Sequence, residues 1–331
     1  MRLHDLGEWE LLQRLAAFAP PGQFEDDAAL LSEQGGRQLV VNTDVLVEGV
    51  HFSDATMGAA DLGWRAAAAN LSDLAAMGCS SVVGLTVALV TPADTTWDWV
   101  EGVYQGLTAA LNHYGGVVLG GDCSSGSERL LSITALGHLA PQGGAIRRGD
   151  GRPGDWLVSS GPHGLSRLGL ALLLHQLEPS AAAQLSPELQ ERSIQAHRRP
   201  QPRLDASDTL RRCQPVEQPW RVGGTDSSDG LAAAVRSIAA ASRCAAALEH
   251  EQLPLDPELA QLPQGEGWCL GGGEDFELVL ALEPTWAAAL IAAWPSASRI
   301  GTLMAGEAGL VRWQNSGEPL ANAAEGFTHF Q

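Results

Sequence analysis

Short apolar runs that end in Gly, Asp or Pro alternate along the chain with longer segments whose apolar residues recur every three or four positions. The runs predict strands at 39–41, 82–90, 117–119 and 130–136, because β-branched and leucine residues between breakers favour extended backbone. Helical spacing predicts helices over 61–77, which is alanine-rich, and over 97–113, where Val100, Val103, Tyr104, Leu107 and Leu111 share a face. The stretch Pro141 to Asp155 (PQGGAIRRGDGRPGD) is made of breakers and suits a connection, which divides the chain into domains 1–145 and 146–331. Beyond it, 156–159 reads as a strand and 165–177 as a helix, joined by the turn SGPHG. Further helices are predicted over 187–197, over 231–242 opened by Ser228 and Asp229, and over 285–294 with a threonine cap, and a strand over 276–282. Strand and helix alternating in both halves favour an α/β or layered α+β fold, and no internal repeat is evident.

Composition narrows the chemistry. The 331 residues are 45% apolar, enough for a sizeable core, and carry 39 acidic against 20 basic side chains for a net charge of −19. Such a charge disfavours nucleic acid and other polyanions unless something local reverses its sign. All 20 basic residues are arginine. Without lysine there is no Walker-type phosphate loop, no protein-kinase lysine and no Schiff base of a pyridoxal enzyme. Five cysteines (Cys79, Cys123, Cys213, Cys244, Cys269) without C-x-x-C spacing fit a reducing compartment better than a disulfide framework or a zinc site. Asp5, Glu8 and Glu10 lie where a signal peptide would be basic and then apolar, and no apolar run approaches about 20 residues. The expectation is a soluble cytoplasmic protein without a membrane span.

The carboxylates gather where elements start or stop. Asp26 and Asp27 precede an apolar run, Asp44 closes the strand at Thr43, Asp122 follows Gly120 and Gly121, and Asp226 and Asp229 stand before a helix. Such positions are where α/β folds place ligands, although Asp and Ser also serve there as turn formers and helix caps. Asp73 differs by lying inside a helix, where a solvated stripe with Arg65 and Ser72 is the plain alternative. Two unit charges about 4 Å apart repel by about 4 kcal/mol at an effective dielectric near 20, so acids sharing a cleft without lysine call for cations between them. Oxygen ligands imply Mg²⁺ rather than zinc, and Mg²⁺ with few carboxylates and phosphate oxygens points to a polyphosphate substrate.

Six segments in order, VNTDVLVEGVHF (41–52), NLSDLAAMG (70–78), GGDCS (120–124), RGDGRPGD (148–155), DSSDGL (226–231) and GGEDFEL (272–278), resemble the motif series of the thiamine-monophosphate kinase family. The likeness spans most of the chain, from Asp27 to Phe327. It implies the PurM-like architecture shared with aminoimidazole ribotide synthetase, in which an N-terminal α/β domain pairs with its twin across a homodimer and a C-terminal α/β domain lies beside it. It also implies direct in-line transfer of the γ-phosphoryl group of ATP to thiamine monophosphate, with several Mg²⁺ ions and no phosphoenzyme. This is the last step of thiamine diphosphate biosynthesis.

Carried over residue by residue, the resemblance assigns metal binding to Asp27, Asn42, Thr43, Asp44, Asp73, Asp122, Asp226 and Asp229. It assigns ATP contact to Tyr104, Gly121, Asp122, Arg148 and Ser228, with the turn at Gly121 admitting the nucleotide; Tyr104 equally fits the apolar face of its helix. It places His51, Glu274 and Phe327 at the thiamine moiety, where an aromatic face and a carboxylate suit a cationic thiazolium ring. Hydrogen bonding within the strand, pairing with an arginine and closure of the core are the rival roles of these three.

Two departures stand out. Gln23 and Glu25 replace the glycines that usually precede the first acidic pair, and Glu25 adds a possible oxygen ligand. Thr225 and Ser227 replace apolar residues around Asp226, which bears on packing rather than on the acids. Ser160 to Gly164 offers backbone N–H groups to an anion, and HRRPQPR (197–203) gathers arginines that suit phosphate or a surface patch. The alternatives are another ATP-using member of the superfamily, a two-metal phosphohydrolase and a Ca²⁺-stabilised binding module. Selenophosphate synthetase, within the first class, needs a reactive Cys or selenocysteine and a lysine near its N-terminus that this chain lacks.

Overall fold

The computed structural model describes residues 10–20, 25–33, 36–141 and 143–320. Two sheets organise them. The first contains β1 (Ala29–Ser32), β2 (Gln38–Val47), β3 (Cys79–Thr91), β4 (Val117–Ser125) and β5 (Leu130–Leu139), in the order β1-β2-β5-β3-β4. Helices α1 (Ala59–Ala76) and α2 (Trp97–Tyr114) cover one face, burying Val40, Leu46, Leu85, Val87, Leu131, Ile133 and Ala135. A Cβ on Gly63 would stand 1.9 Å from the Val103 carbonyl oxygen, and one on Gly106 2.0 Å from that of Ala60, so glycine lets α1 and α2 cross in backbone contact. The opposite sheet face, carrying Thr43, Val45, Ser132, Thr134 and Ala88, has no such cover among the described residues.

The second sheet holds β6 (Trp156–Ser159), β7 (Gly223–Asp226), β8 (Ala245–Leu248), β9 (Leu278–Leu282), β10 (Ser298–Met304) and β11 (Val311–Trp313), in the order β11-β8-β10-β6-β9-β7. Around it run α3 (Leu165–Leu173), α4 (Pro179–Ala182), α5 (Pro187–Arg198), α6 (Ala206–Cys213), α7 (Leu231–Ala241), α8 (Gly265–Gly271) and α9 (Pro284–Ala293). Alternation along β6 and β9 sends Leu157, Val279 and Ala281 toward α7, and Val158, Leu278, Leu280 and Leu282 toward α6 and α9. The sheet is therefore buried on both faces. Its short strands GGTD and AAAL carry neither β-branched runs nor alternation, so the sequence pattern shows no strand there.

Several expectations change. The strand expected to end at Thr43 continues through Asp44 to Val47, and the one expected to end at Leu119 continues to Ser125. Gly121 therefore lies inside β4 rather than in a turn; its missing Cβ, which would stand 1.8 Å from the Val87 carbonyl oxygen, permits the approach of β3. The α9 cap is Glu283, whose carboxylate accepts from the N–H groups of Thr285 (2.9 Å) and Trp286 (3.3 Å), with Pro284 at the first helical position. Neither Ser228 nor Asp229 caps α7, which begins after Gly230. Arg65 and Ser72 are no solvated stripe, since both are buried. No helix among the described residues is long and apolar enough to cross a membrane.

Candidate functional site

Three carboxylates converge where the two sheets meet. Asp27 is the second member of the first acidic pair, Asp73 projects from α1 and Asp226 ends β7, and each offers an oxygen within 4.8 Å of the others. The segment from Ala66 to Ala76 is buried almost throughout, so α1 can carry Asp73 only where a partner surface is polar. Asn42 Nδ2 donates to Asp73 Oδ2 at 2.7 Å and to Asn70 Oδ1 at 3.2 Å, and the Asp44 backbone N–H donates to the same Asn70 oxygen at 3.2 Å. Asn70 is held by its own Nδ2, which donates to the Ala66 carbonyl at 2.9 Å. Ser72 Oγ donates to Asp226 Oδ2 at 2.6 Å. On the far side, Arg148 pairs with Asp27, and Thr225 Oγ1 donates to Asp27 Oδ1 at 2.7 Å.

The charges here are under-compensated. Burial pushes Asp27 up to about 6 against the pull of Arg148. Burial together with the charges of Asp44, Asp226 and Asp27 holds Asp73 well above the usual carboxylate range. Burial also raises Asp44, and raises Asp226 despite the bond from Ser72. Asn42 Oδ1 is buried and accepts nothing. An unpartnered amide oxygen beside an all-oxygen cluster of acids fits a hard divalent cation such as Mg²⁺ and does not fit zinc. Asp27, Asn42, Asp44, Asp73 and Asp226 are the residues that would hold it.

Other expected residues lie around this centre or apart from it. Ser228 Oγ donates to Asp226 Oδ1 at 3.2 Å, which sets it beside the acids, whereas Asp229 is exposed. Glu25 is also exposed and outside the cluster, while Asp26 Oδ1 accepts from the Arg148 backbone at 2.9 Å. Thr43 points to the open sheet face, where its hydroxyl meets that of Thr134 at 2.7 Å. Asp122 lies opposite Ala88, which is paired with Ser132, itself opposite Val45. It thus shares the face of Val45, not that of Asp44, and sits about 14 Å across the sheet at the usual strand spacing. Tyr104 lies on the other face of β4, packed against the core beneath α2, where burial and the neighbouring Cys123 push its hydroxyl up.

A second group adjoins the acids through the Glu274 N–H, which donates to the Ser228 carbonyl at 2.6 Å. The Glu274 carboxylate pairs with buried Arg65, whose Nη1 also donates to the His197 carbonyl. Burial would raise Glu274, yet Arg65 overrides it and leaves this carboxyl below its ordinary value. His51 is close enough for its charge to act on Glu274, and its Nδ1 accepts from the Val47 N–H at 3.0 Å. Phe327 lies outside the described residues. Arg65 and Ser72 are not singled out by pattern as site residues; the signal for them is the density of alanines and leucines around them, interrupted only by Asn70 and Asp73, which marks a helix buried on most sides.

Residues 25–139 match the family model for AIR synthase related protein, N-terminal domain. The chain is 47% identical to the thiamine-monophosphate kinase of Prochlorococcus marinus over 330 residues, covering 99% of this chain and 97% of that one. It is 34% identical to that of Escherichia coli over 313 residues, covering 92% and 90%. The solved structure of AaThiL complexed with AMPPCP and TMP matches with a TM-score of 0.83 at 29% identity over 99% of both chains. The hydrogenase maturation protein HypE in complex with ATP matches at a TM-score of 0.66 and 19% identity over 93% of both, a likeness of fold alone.

Proposed function

The chain belongs to the thiamine-monophosphate kinase family of phosphotransferases, and on that premise we propose that it transfers the γ-phosphoryl group of ATP directly to the phosphate of thiamine monophosphate. The observation that carries this reading is the cluster of Asp27, Asp73 and Asp226 with the unpartnered Asn42 oxygen beside it. Bound Mg²⁺ would neutralise the phosphates and the acids together. The acceptor phosphate is already ionised at neutral pH, so its oxygen attacks the γ-phosphorus while the bond to the β-phosphate oxygen breaks and ADP leaves. No protein base is needed, and alignment with charge compensation supplies the rate.

The protein's own groups divide the work. Asp27, Asn42, Asp44, Asp73 and Asp226 hold the ions, with Asp229 at the margin, while the Thr43 hydroxyl faces the other side of the sheet. Arg148, against Asp27 and Thr225, and Ser228, against Asp226, lie where ATP phosphates would reach them. His51 and Glu274 meet the thiamine moiety. Arg65 already compensates the charge of Glu274, which leaves Oε2 as a hydrogen-bond acceptor.

Tyr104, Gly121 and Asp122 join a site only across a homodimer. β4 ends its sheet with exposed Val117, Val118 and Leu119, and β2 is paired with β1 only from Gln38 to Val41. Among the described residues each copy thus presents two free strand edges. Pairing β4 of one copy with β2 of the other satisfies both and brings the strand that carries Asp122 beside the acid-bearing β2 of the partner subunit.

Incubation of the pure protein with ATP, Mg²⁺ and thiamine monophosphate, followed by chromatography, tests the reaction. Thiamine diphosphate and ADP are expected in equal amounts. Release of inorganic phosphate without thiamine diphosphate would favour a hydrolase instead.

A further inference from the structure

Glu274 stands on an unusual piece of backbone. Gly273 (φ 68°), Glu274 (φ 59°) and Phe276 (φ 52°) are all left-handed, a conformation that side-chain-bearing residues adopt only when their surroundings impose it. The residue between them, Asp275, makes the imposing contact. Its Oδ2 accepts from the Gly164 N–H at 2.7 Å and its Oδ1 from the Ser166 N–H at 3.0 Å, so both oxygens grip the first turn of α3. The turn expected to cradle an external anion is thus filled from within the chain. Glu277 fastens the other side: its carboxylate accepts from Ser160 Oγ and from Arg203 Nη1, the latter at 3.1 Å. Glu274 itself reaches the opposite way, to Arg65 and toward His51.

We propose that Asp275 is a positioning residue for the acceptor substrate, bridging Gly164 and Ser166 so that the turn 273–276 aims the Glu274 carboxylate into the site. The inference rests on the reading of Glu274 as a contact to the thiamine moiety, and it adds a residue that never touches substrate. α3 gives the rigid footing: Leu168 and Ala171 are fully buried, so an anchor on its first turn does not drift. An amide at 275 offers one acceptor oxygen and turns an NH₂ toward the second backbone N–H. The turn then loses one of its two holds and relaxes from its left-handed form.

Steady-state kinetics of Asp275→Asn, Glu274→Gln and the double variant decide the matter. In Asp275→Asn the KM for thiamine monophosphate is expected to rise about tenfold, while kcat and the KM for ATP change by no more than about twofold. In the double variant it should equal that of Glu274→Gln alone, since residues acting as a unit are not additive. A raised KM in Glu274→Gln beside an unchanged one in Asp275→Asn overturns the positioning role alone, as do two effects that multiply. An unchanged KM in Glu274→Gln removes the acceptor reading and this proposal with it. If Asp275→Asn does not accumulate folded, Asp275→Glu keeps the charge and displaces the turn by one methylene. The same KM split is expected there, and wild-type kinetics would overturn the proposal.

Discussion

Ser72 Oγ and Asp226 Oδ2 lie 2.6 Å apart although 154 positions separate them in the chain. The bond ties a helix that packs on the first sheet to the edge strand of the second, and it holds one wall of the acidic centre. Asp73, the next residue on the same helix, forms another. The acids therefore come together only when the two halves of the chain dock, so binding of a cation between them also bears on that docking.

Asp73→Asn should separate activity from stability. The amide oxygen can still accept from Asn42 Nδ2, while the repulsion from Asp44, Asp226 and Asp27 disappears. Turnover is expected to fall at least about a hundredfold, whereas the melting temperature in EDTA rises by roughly 2–4 °C. A metal-free variant that melts below the wild type contradicts the charge argument.

Stability should depend on pH with a definite sign. Asp27 is held at about 6, above its ordinary value of 3.8, so the folded chain keeps a proton that the unfolded chain has released. Metal-free stability therefore falls as pH rises from about 4 through 6, and the raised Asp73 and Asp226 add to the same trend. Mg²⁺ binds the deprotonated acids, so its stabilising effect should be larger near pH 8 than near pH 5. Thermal unfolding with and without millimolar Mg²⁺ at both pH values checks this; an equal or reversed increment counts against the centre.

Arg65→Met removes one member of a pair whose guanidinium is 2% exposed and whose carboxylate is 35% exposed. The loss should be about 2–3 kcal/mol in urea unfolding, below that of a fully buried pair because water still reaches Glu274. The thiamine monophosphate KM should rise as well, since Glu274 loses its partner. A cost under about 1 kcal/mol would show that Arg65 does not hold the helix to α5.

Leu119→Arg places a charge on the exposed edge of β4, where Leu119 is 48% exposed in the single chain. Light scattering should report a dimer for the wild type and a monomer for the variant, with activity lost in parallel. A monomeric wild type that is fully active would leave Tyr104, Gly121 and Asp122 outside the site.

Much of the architecture is written locally. The helices over α1 and α2 and the strands β3 and β5 follow from apolar spacing between breakers, and residues 141–155 fall between the two sheets. Strands such as β7 and β8 left no signal, because burial on both faces erases alternation and their glycines and alanines have no strand preference. β2 and β4 run past the ends that the sequence predicts for the opposite reason: acids and glycines that commonly stop a strand here continue one.

The order of its motifs, the oxygen chemistry of its acids and the want of any lysine are properties the chain carries unfolded, and they suffice to name its family and a metal-assisted phosphoryl transfer as its expected chemistry. Which acids meet is a different kind of fact. Asp44 and Val45 are neighbours in the chain yet face opposite sides of a sheet, and only register and strand order reveal that Asp122 sides with Val45. The same docking turns Arg65 from an expected surface charge into the buried partner of Glu274. Side-chain direction has a period of two and helix faces one of 3.6, so a contact across more than a hundred residues depends on how those periods are aligned in space.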